Sequence, residues 1–473
     1  MGTLTYMMLM FFFWGSNKVT IKLPEAISDN MVVQQNTDVK LWGTSSNHKK
    51  DISVNASWTK DTYEVTPEKD GSWMVSIPTG NASFEPQTIT FKSGKSEEKI
   101  SNVLVGEVWF CSGQSNMEMN FKGFRNQPIE GADEVLKTAD ANSGIRMLRV
   151  RRNTPDTPTT QGNGKWDLST PKNVKYFSAT AYFFAMKLKE ELNVPIGIIN
   201  SSYGGSSIES WMKRDLVATY SDIDLSHRVP DSLIWQRPTV MYNGMLKPYV
   251  NYTINGFLWY QGEGSMNRAA TYEQKLHGLS SLWREEWGLG KLPFYIVEIT
   301  PYNYSHPTDA AKIRFAQFKA SQNIENSGLV CTNDLVLEHE ENVAHPQKKQ
   351  PIGERLANLA LSKTYGIDSI QAESPYIDSF VVQNDTVIVR IENTYGEILD
   401  QPEFIGFELA GEDNLYYPAV GVLGEDKLSV NVTSLDVLNP VHIRYCFQSL
   451  LIGNVKNSVG LPMTCFRSDD FSR

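Results

Sequence analysis

The sequence predicts an α/β protein in which a parallel sheet covered by helices lies between two β-rich segments. Between about residues 103 and 366, apolar strand-like runs alternate with amphipathic helical stretches, which is the pattern of a parallel sheet. Residues 17–102 and 367–473 instead contain short alternating runs separated by turn residues, as in β-sandwich-like domains. A chain of 473 residues exceeds one ordinary core, so its length predicts two or three domains, and the changes of pattern predict three with these boundaries.

The N-terminal 16 residues are predicted to be a signal peptide. The apolar run Leu4–Trp14 has the length of a signal-peptide core and is too short to span a bilayer as a helix. We therefore expect a secreted or periplasmic protein. No Lys or Arg precedes the run, so a buried first strand is the alternative. No later segment is long and apolar enough to predict a membrane span.

The two β-rich segments contain strand candidates of three to six residues. In residues 17–102 these candidates are Val39–Trp42, Ile52–Val54, Trp73–Ile77 and Thr88–Phe91. In residues 367–473 they are Phe380–Gln383, Thr386–Ile391, Gly406–Leu409, Lys427–Val432 and Val441–Cys446. The first segment suits a small scaffolding sandwich. The second forms its own small sandwich or joins the first, and the sequence leaves both possibilities open.

In the middle segment, several predicted strands end in polar or glycine-rich turns. The strand candidates are Val103–Cys111, Pro195–Asn200, Ile254–Tyr260, Leu292–Ile299 and Gly328–Thr332, and helices are predicted over 271–287 and 352–365. Ligands of open α/β sheets bind at the carboxyl ends of the strands. We therefore expect Ser115, Gly204-Gly205, Gln261 and the segment after Cys331 to meet in one pocket.

Charge and cysteine usage exclude some classes of function. The formal net charge is 44 − 54 = −10 and there is no long basic run, which argues against a nucleic-acid partner. The four cysteines, at 111, 331, 446 and 465, form no Cys-x-x-Cys pair, so we expect no structural zinc site. Cys446 and Cys465 are candidates for a disulfide, which the sequence does not decide.

Ser115 and His345 are the candidate nucleophile and base of an acyl-transfer site. Ser115 follows an apolar strand and precedes a segment that can start a helix, so unpaired N–H groups would lie near its oxygen. His345 is followed by Pro346 and an amphipathic helix, which fixes its place relative to the sheet. The alternatives are a serine that only caps a turn and a solvent-exposed histidine.

Glycine and amide groups at the other strand ends are candidate oxyanion donors. The backbone of Gly204-Gly205 can approach a ligand closely, and Gln261 can offer its side-chain N–H groups. The alternatives are a tight turn and an amide that satisfies loop backbone groups. The candidates for substrate binding are Gln114, Asn116, Gly204, Asn243 and Glu263.

The acid that would orient His345 is not identified by the sequence. In one common serine-esterase arrangement an aspartate lies two or three residues before the histidine, but here those positions are Val343 and Asn342. Three nearby acids, Glu341, Asp334 and Glu338, are candidates. A Ser-His dyad held by a backbone carbonyl is the alternative.

Two other chemistries compete with acyl transfer, and both are weaker. Residues 338–341, Glu-His-Glu-Glu, together with His345 supply metal-ligand types but not the His-Glu-x-x-His spacing. Glu263 with a second acid would suit a glycosidase, but nothing fixes the separation of the pair. We therefore expect neither a metal nor a cofactor.

Several ordered segments resemble those of sialate O-acetylesterases, which belong with related carbohydrate acetylesterases to the SGNH hydrolase superfamily. In the middle of the chain they are Gly106-Glu-Val-Trp-Phe-Cys-Ser-Gly-Gln-Ser-Asn-Met117, Tyr203-Gly-Gly-Ser-Ser-Ile-Glu-Ser-Trp211, Tyr242-Asn-Gly-Met245, Gly256-Phe-Leu-Trp-Tyr-Gln-Gly-Glu263 and His345-Pro346. Ser28-Asp-Asn-Met-Val-Val-Gln-Gln35 and Gly460-Leu-Pro-Met-Thr-Cys-Phe-Arg467 extend the resemblance towards both ends.

The resemblance implies a flavodoxin-like α/β/α domain with flanking β domains. It implies Ser115 as nucleophile, His345 as base, and the Ser115 N–H, Gly205 and Gln261 as oxyanion donors. The family often has an aspartate just before its His-Pro, and this chain departs from that pattern. No cofactor is implied.

The sequence therefore predicts a serine esterase that removes O-acetyl groups from carbohydrates through an acetyl-enzyme. An acetyl xylan or hemicellulose esterase of the same fold and a catalytically weakened carbohydrate-binding protein are the alternatives. Which sugar carries the acetyl group, and the oligomeric state, are not determined by the sequence.

Overall fold

The computed structural model describes residues 19–226 and 229–470. The predicted signal peptide, residues 1–16, lies outside the described residues. Within the described ranges, every helix is too short or too polar to cross a membrane.

The N-terminal region is built from strands and contains the four runs predicted for it. Its strands are β1 Ile21–Lys22, β2 Val32–Gln34, β3 Asp38–Ser45, β4 Ile52–Ala56, β5 Thr62–Val65, β6 Ser72–Pro78 and β7 Ser83–Ser93. Strands β1, β3 and β6 form an antiparallel three-stranded sheet. Strands β2 and β7 pair with the next strand of the chain, β4 pairs with β7, and β5 pairs with β4.

That next strand, β8 Ser96–Gly113, is 18 residues long and belongs to two parts of the molecule. Its first half pairs with β7 in antiparallel fashion, and its second half is the central strand of the parallel sheet. The predicted domain boundary at 102/103 falls within this strand. The domain limits stay predictions.

The central region alternates strands with helices, as predicted. Its strands are β9 Ile145–Arg149, β10 Trp166–Leu168, β11 Ile196–Ser202, β12 Gly256–Tyr260, β13 Phe294–Val297 and β14 Ser327–Val330. Its α-helices are α1 Ser115–Glu118, α2 Ala132–Thr138, α3 Pro171–Val174, α4 Ala179–Leu192, α5 Arg214–Val217, α6 Ala269–Trp287, α7 Asp309–Asn323 and α8 Gln350–Leu359. Two π-helical turns lie at Tyr242–Leu246 and Ala360–Thr364. The described 3₁₀ turns are Ile208–Trp211, Asp231–Gln236, Lys247–Tyr249, Glu263–Arg268, Glu338–Glu340 and Ser468–Asp470.

The strand order places the end of β8 where ligands of such sheets bind. The order is β10-β9-β11-β8-β12-β13-β14, and all neighbours pair in parallel except β10 with β9. The chain runs from β8 to one side of the sheet and later crosses to β12 on the other side. Strand β8 is therefore at the topological switch point, and its last residue lies opposite Ser202 and Tyr260.

Both faces of the parallel sheet are buried under helices. Val108 and Phe110 pack into one apolar cluster with α6 and α7, whereas Trp109 and Cys111 pack into another with α4 and α8. Successive side chains of a strand point to opposite faces, so the continuous apolar run of β8 reflects burial on both sides. The prediction of a mixed α/β protein is confirmed.

The C-terminal region forms a sheet of its own instead of joining the N-terminal one. Its antiparallel order is β15-β16-β19-β18-β17-β20-β21. The strands are β15 Tyr376–Gln383, β16 Thr386–Glu392, β17 Phe404–Ala410, β18 Tyr416–Leu423, β19 Ser429–Thr433, β20 His442–Tyr445 and β21 Phe466–Arg467.

All four cysteines are buried free thiols, including the predicted pair Cys446 and Cys465. Burial raises the pKa of each thiol.

Candidate active site

Ser115 begins helix α1 directly beyond the end of β8, and a glycine makes this turn possible. Gly113 has φ +142°, and a Cβ atom there would lie 2.0 Å from the Tyr260 carbonyl oxygen. The next residue, Gln114, donates its backbone N–H to that same oxygen at 3.0 Å. The turn therefore fixes Ser115 against the ends of β8 and β12.

His345 lies beside Ser115, although 230 residues separate them in the sequence. The His345 Nε2 and Ser115 Oγ atoms are 2.7 Å apart. On the other side of the ring, His345 Nδ1 lies 2.8 Å from Gln127 Oε1. With the amide oxygen as acceptor, Nδ1 carries the hydrogen and Nε2 is free to accept the Ser115 hydroxyl proton.

Gln127 belongs to a tight loop that contacts the imidazole twice. Phe124 and Gln127 exchange both backbone hydrogen bonds, at 3.0 and 3.1 Å, and Asn126 between them has φ +59°. The Phe124 ring meets the His345 ring edge-on, with centroids 5.0 Å apart. No local pattern predicts this contact, because Gln127 lies 218 residues from His345.

The three acids considered from the sequence do not contact His345 in the described structure. Asp334 forms two hydrogen bonds of 2.8 Å with Arg355. Burial acts to raise the pKa of its carboxyl group, but this guanidinium and Lys456 together lower it. Glu338 and Glu341 are exposed. The candidate carboxylates are therefore wrong, because the ring nitrogen Nδ1 that such an acid would contact lies against the Gln127 amide oxygen.

A buried polar network lies directly under the nucleophile. Asn116 accepts a hydrogen bond from Lys349 Nζ at 2.5 Å and donates to Glu263 Oε1 at 2.6 Å. Its second amide hydrogen goes to the carbonyl of Ala344, 3.0 Å away. Since Asn116 follows Ser115 and Ala344 precedes His345, this side chain joins the two halves of the site.

Burial shifts the pKa values of the ionisable groups in this network. Burial and then the nearby charge of Lys349 lower the pKa of His345 to about 4. Burial lowers the pKa of Lys349 to about 7 and raises that of Glu263, although the two groups favour each other's charged forms. The imidazole is therefore neutral, and able to accept a proton, throughout the neutral range.

The turn after β11 brings the predicted glycines next to Ser115. A Cβ atom at Gly204 would lie 3.5 Å from the Ser115 Cβ, and the Gly204 N–H is already donated to Glu118 Oε2 at 2.8 Å. Gly205 has φ +77°. Among the described residues, the backbone N–H groups of Ser115 and Gly205 have no hydrogen-bond acceptor.

Gln261 has a different role from the predicted one. Its side chain is fully buried, and its amide hydrogens are donated to the Ser206 carbonyl at 2.9 Å and the Ser265 hydroxyl at 3.0 Å. The oxygen accepts from the Tyr272 hydroxyl. No amide hydrogen is left for an oxyanion, and Gln261 instead anchors the turn that carries Gly205.

Two of the substrate-binding candidates are also occupied by contacts within the protein. Gln114 Oε1 accepts the backbone N–H groups of Gly262 and Gly264 at 3.2 and 3.0 Å. Asn243 is buried in a π-helical turn and donates to the Pro155 carbonyl at 3.1 Å. Asn243 therefore holds a neighbouring loop, and the structure does not bring it to Ser115.

Glu118 and Arg152 form an ion pair that contacts the glycine turn after β11. Glu118 forms hydrogen bonds with two guanidinium nitrogens of Arg152, the shortest 2.8 Å, and Arg152 stacks 4.1 Å above the Tyr203 ring. Because the same carboxylate accepts the Gly204 N–H, this pair fixes the glycine turn. The sequence reasoning did not single out either residue.

A cavity of about 380 Å³ lies next to the turn after β12. Its lining includes Glu263, Gly264, Arg268, Tyr304 and His306. Glu263 and Gly264 are the residues that contact Asn116 and Gln114, on either side of Ser115. The size and polar lining suit a sugar-sized ligand. The described residues contain no cluster of three or more His, Cys, Asp or Glu side chains that could hold a metal ion.

Comparisons with known proteins agree on one family. The model of a carbohydrate esterase family, the sialic acid-specific acetylesterases, matches residues 105–362, which include Ser115, Gly205 and His345. The sialate O-acetylesterases of Pongo abelii and Homo sapiens are each 27% identical to this chain, over 412 and 414 residues. These alignments cover 79% of this chain and 77% of each relative.

A solved structure extends the likeness to nearly the whole chain. The crystal structure of a carbohydrate acetylesterase from Xanthomonas citri superimposes with a TM-score of 0.84 at 27% identity. The match covers 95% of this chain and 100% of that one.

Proposed function

We propose that this chain, which belongs to the sialic acid-specific acetylesterase family of carbohydrate esterases, removes O-acetyl groups from a carbohydrate with Ser115 as nucleophile. Its family makes it a carboxylic ester hydrolase. The observation that carries the proposal is the 2.7 Å contact between Ser115 Oγ and His345 Nε2 at the carboxyl end of β8. A hydroxyl in contact with a neutral, partly buried imidazole is an activated nucleophile.

The reaction proceeds through an acetyl-enzyme. His345 Nε2 takes the Ser115 hydroxyl proton while Oγ attacks the acetyl carbonyl carbon, which gives a tetrahedral oxyanion. The Ser115 and Gly205 N–H groups, which have no acceptor within the described residues, stabilise this oxyanion. His345 then donates its proton to the departing sugar oxygen as the ester bond breaks. In the second half, His345 deprotonates a water molecule that attacks the acetyl carbon. The bond between Oγ and that carbon then breaks, His345 returns the proton to Oγ, and acetate leaves.

We place the sugar in the cavity beside Glu263. The proposal is supported by two lining residues of this cavity, Glu263 and Gly264, which form hydrogen bonds with the two chain neighbours of Ser115, Asn116 and Gln114. The polar lining suits the hydroxyl groups of a sugar ring.

The same proposal includes the finer points of architecture. We assign the central region to the SGNH type of three-layer α/β/α domain, supported by the switch-point position of Ser115 and by helices on both sheet faces. The proposed domains are 17–102, 103–366 and 367–473. Export by the N-terminal 16 residues, to the periplasm or outside the cell, is proposed on the sequence alone.

Substitution of the nucleophile tests the mechanism. Ser115→Ala and His345→Ala should each reduce kcat/KM for an aryl acetate by about a thousandfold or more, because the acetyl-enzyme no longer forms. Intact-mass measurement during turnover should detect wild-type protein heavier by one acetyl group, and Ser115→Ala protein should lack it. An active Ser115→Ala variant would contradict the proposal.

A second candidate, a carbohydrate-binding protein with weakened catalysis, is favoured by the missing carboxylate beside His345. Acetate release from acetylated sialic acid and from acetylated xylan, each measured with wild type and Ser115→Ala, separates the two. Glycan binding without acetate release would support the second candidate. Preference between the two substrates distinguishes a sialate esterase from a hemicellulose esterase.

A further inference from the structure

We propose that Gln127 is the positioning residue of the catalytic histidine and holds the place that an aspartate has in a Ser-His-Asp triad. This inference rests on the proposed function, since it assigns Gln127 a role in the same reaction. Gln127 acts through His345 and does not touch the substrate.

The contact has the geometry that a triad requires. Gln127 Oε1 and Ser115 Oγ lie on opposite ring nitrogens of His345, at 2.8 and 2.7 Å. An acceptor at Nδ1 holds the hydrogen there and directs the Nε2 lone pair towards the serine. Proteases with a Cys-His-Asn triad show that an amide oxygen can serve as this acceptor.

The loop that carries Gln127 is built to keep the amide in position. The paired backbone hydrogen bonds between Phe124 and Gln127 close the loop, and the Phe124 ring packs edge-on against the imidazole. Gln127 and Phe124 thus limit both the tilt and the rotation of the His345 ring. A loop with a purely structural role would not need to contact the ring through two side chains.

The described carboxylates near the imidazole are engaged elsewhere. Glu263 contacts Asn116, and Asp334 contacts Arg355. Glu340 accepts the backbone N–H groups of Gln347 and Leu337 at 2.9 and 3.1 Å. The remaining charge facing His345 is the ammonium group of Lys349, which opposes protonation of the ring.

An amide and a carboxylate differ in one chemical respect at this position. Both accept the Nδ1 hydrogen, but only the carboxylate stabilises the imidazolium that forms when Ser115 loses its proton. Gln127 therefore orients the base without making it more basic, which agrees with a His345 pKa of about 4. A glutamate at 127 should raise that pKa, because an opposite charge within hydrogen-bond distance favours the protonated ring.

Two substitutions at 127 test the role, with kcat and kcat/KM for an aryl acetate followed from pH 4 to 9. Gln127→Leu should reduce kcat by about tenfold or more and change KM little, because the ring is no longer held. Gln127→Glu should move the acid limb of kcat/KM upwards by about one to two pH units and raise the plateau above it. Thermal unfolding of each variant checks that the fold is kept.

Two control variants distinguish loss of the Gln127–His345 contact from general effects of altering the loop or the charge nearby. Arg125→Ala alters an exposed residue of the same loop and should leave the profile unchanged. Asn342→Asp adds the same negative charge three residues before His345, but Asn342 is exposed and its side chain contacts Asn303 and Glu341. The acid limb should therefore stay in place in Asn342→Asp.

The outcomes distinguish a failure of the proposed role of Gln127 from a failure of the proposed function. An unchanged kcat in Gln127→Leu, or an acid limb that moves in Asn342→Asp and not in Gln127→Glu, overturns the role of Gln127. If those results appear while Ser115→Ala is inactive, the proposed function stands and only the positioning role fails. An active Ser115→Ala variant instead removes the proposed function itself.

Discussion

Lys349 places a fully buried ammonium group at the base of the site, and its side chain has one described hydrogen-bond partner, Asn116. The Asn116 side chain in turn donates a hydrogen bond to Glu263. The amide therefore separates a buried cation from a buried carboxylate and is held from both sides. Because Asn116 follows Ser115 directly, the network fixes the position of the nucleophile.

Removal of the Lys349 charge should change the pH dependence of the reaction. In the wild type, the His345 pKa of about 4 keeps the base unprotonated above about pH 5, so kcat/KM should be flat from about pH 5 to 7. Lys349→Met removes a positive charge that opposes protonation of His345, so the acid limb should move upwards. It should stay below the ordinary histidine range, since burial, the larger cause, remains.

The measurement is the pH profile of kcat/KM for an aryl acetate. Lys348→Met provides the control, because this neighbouring lysine is only half-buried. An acid limb that is the same in Lys349→Met and wild type would contradict the influence of Lys349 on His345.

The residues of the site differ in how far the sequence could identify them. Ser115 and His345 are marked by local features, a strand end and a His-Pro before a helix. Gln127 is not, since a glutamine in a polar loop has no local signature and meets His345 only through tertiary folding. Gln261 lies at the predicted strand end, but its contacts with Ser206 and Ser265 depend on neighbours that only the fold brings together.

At the scale of elements, strand β8 organises the molecule. Its pairing with β11 and β12 ends at Gly113, opposite Ser202 and Tyr260, and the chain then turns sharply into α1. The turn is tight enough that the position of Ser115 depends on the absence of a side chain at Gly113.

Gly113→Ala should both destabilise the protein and reduce its activity. The added Cβ would lie 2.0 Å from a backbone oxygen, so the end of β8 has to separate from β12. We expect the free energy of unfolding to fall by about 2–4 kcal/mol, and kcat to fall because Ser115 moves away from His345.

Gly288→Ala is the control for Gly113→Ala, because it introduces backbone strain without a steric clash. Gly288 ends α6 with φ +62° and has open space around it, so this change should cost only about 1 kcal/mol and leave kcat unchanged. Denaturant unfolding and aryl acetate hydrolysis measure both effects. Equal losses in the two variants would mean that close packing at Gly113 is unimportant.

The elements that the sequence revealed are those with a clear local pattern. Helix α6 was predicted over 271–287 and runs from Ala269 to Trp287, and its apolar face is regularly spaced. Helices α4 and α7 were not predicted, because buried residues such as Thr180, Arg314 and Gln317 interrupt their apolar patterns. Their burial is decided by neighbours on the sheet, which a local pattern does not contain.

At the scale of the whole molecule, the C-terminal region supports the wall of the cavity beside Glu263. Ser449 lies in the loop after β20 and forms backbone hydrogen bonds with Tyr302 and Pro307, and its hydroxyl donates to the His306 carbonyl. Tyr304 and His306 of that wall line the cavity. The loop at 301–308 is therefore held from outside the central sheet.

Arg314 is the main link between the central helices and this C-terminal loop. It is a buried residue of α7, and its guanidinium donates to the carbonyls of Cys446 and Gln448 at 3.0 and 2.6 Å. A third, longer contact reaches the Ser449 carbonyl at 3.4 Å. Arg314 thus holds residues 446–449 in place, and Ser449 in that segment holds the cavity wall at 301–308.

Arg314→Met should consequently affect the hydrolysis of a sugar ester more than that of a small ester. The change leaves several buried carbonyls without a donor, so the free energy of unfolding should fall by about 3–5 kcal/mol. In the remaining folded protein the wall at 301–308 loosens. The value of kcat/KM should then fall for an acetylated sugar that fills the cavity and stay near wild type for an aryl acetate.

Lys319→Met is the matched control, since Lys319 is a half-buried cation on the same helix that pairs with Glu273 on α6. It should change neither substrate preference nor, by more than about 1 kcal/mol, stability. Equal losses of kcat/KM on both substrates in Arg314→Met would show that the C-terminal region stabilises Ser115 and His345 directly. A preference shift confined to the sugar ester would support the proposal that the sugar lies against a wall held by a separate sheet.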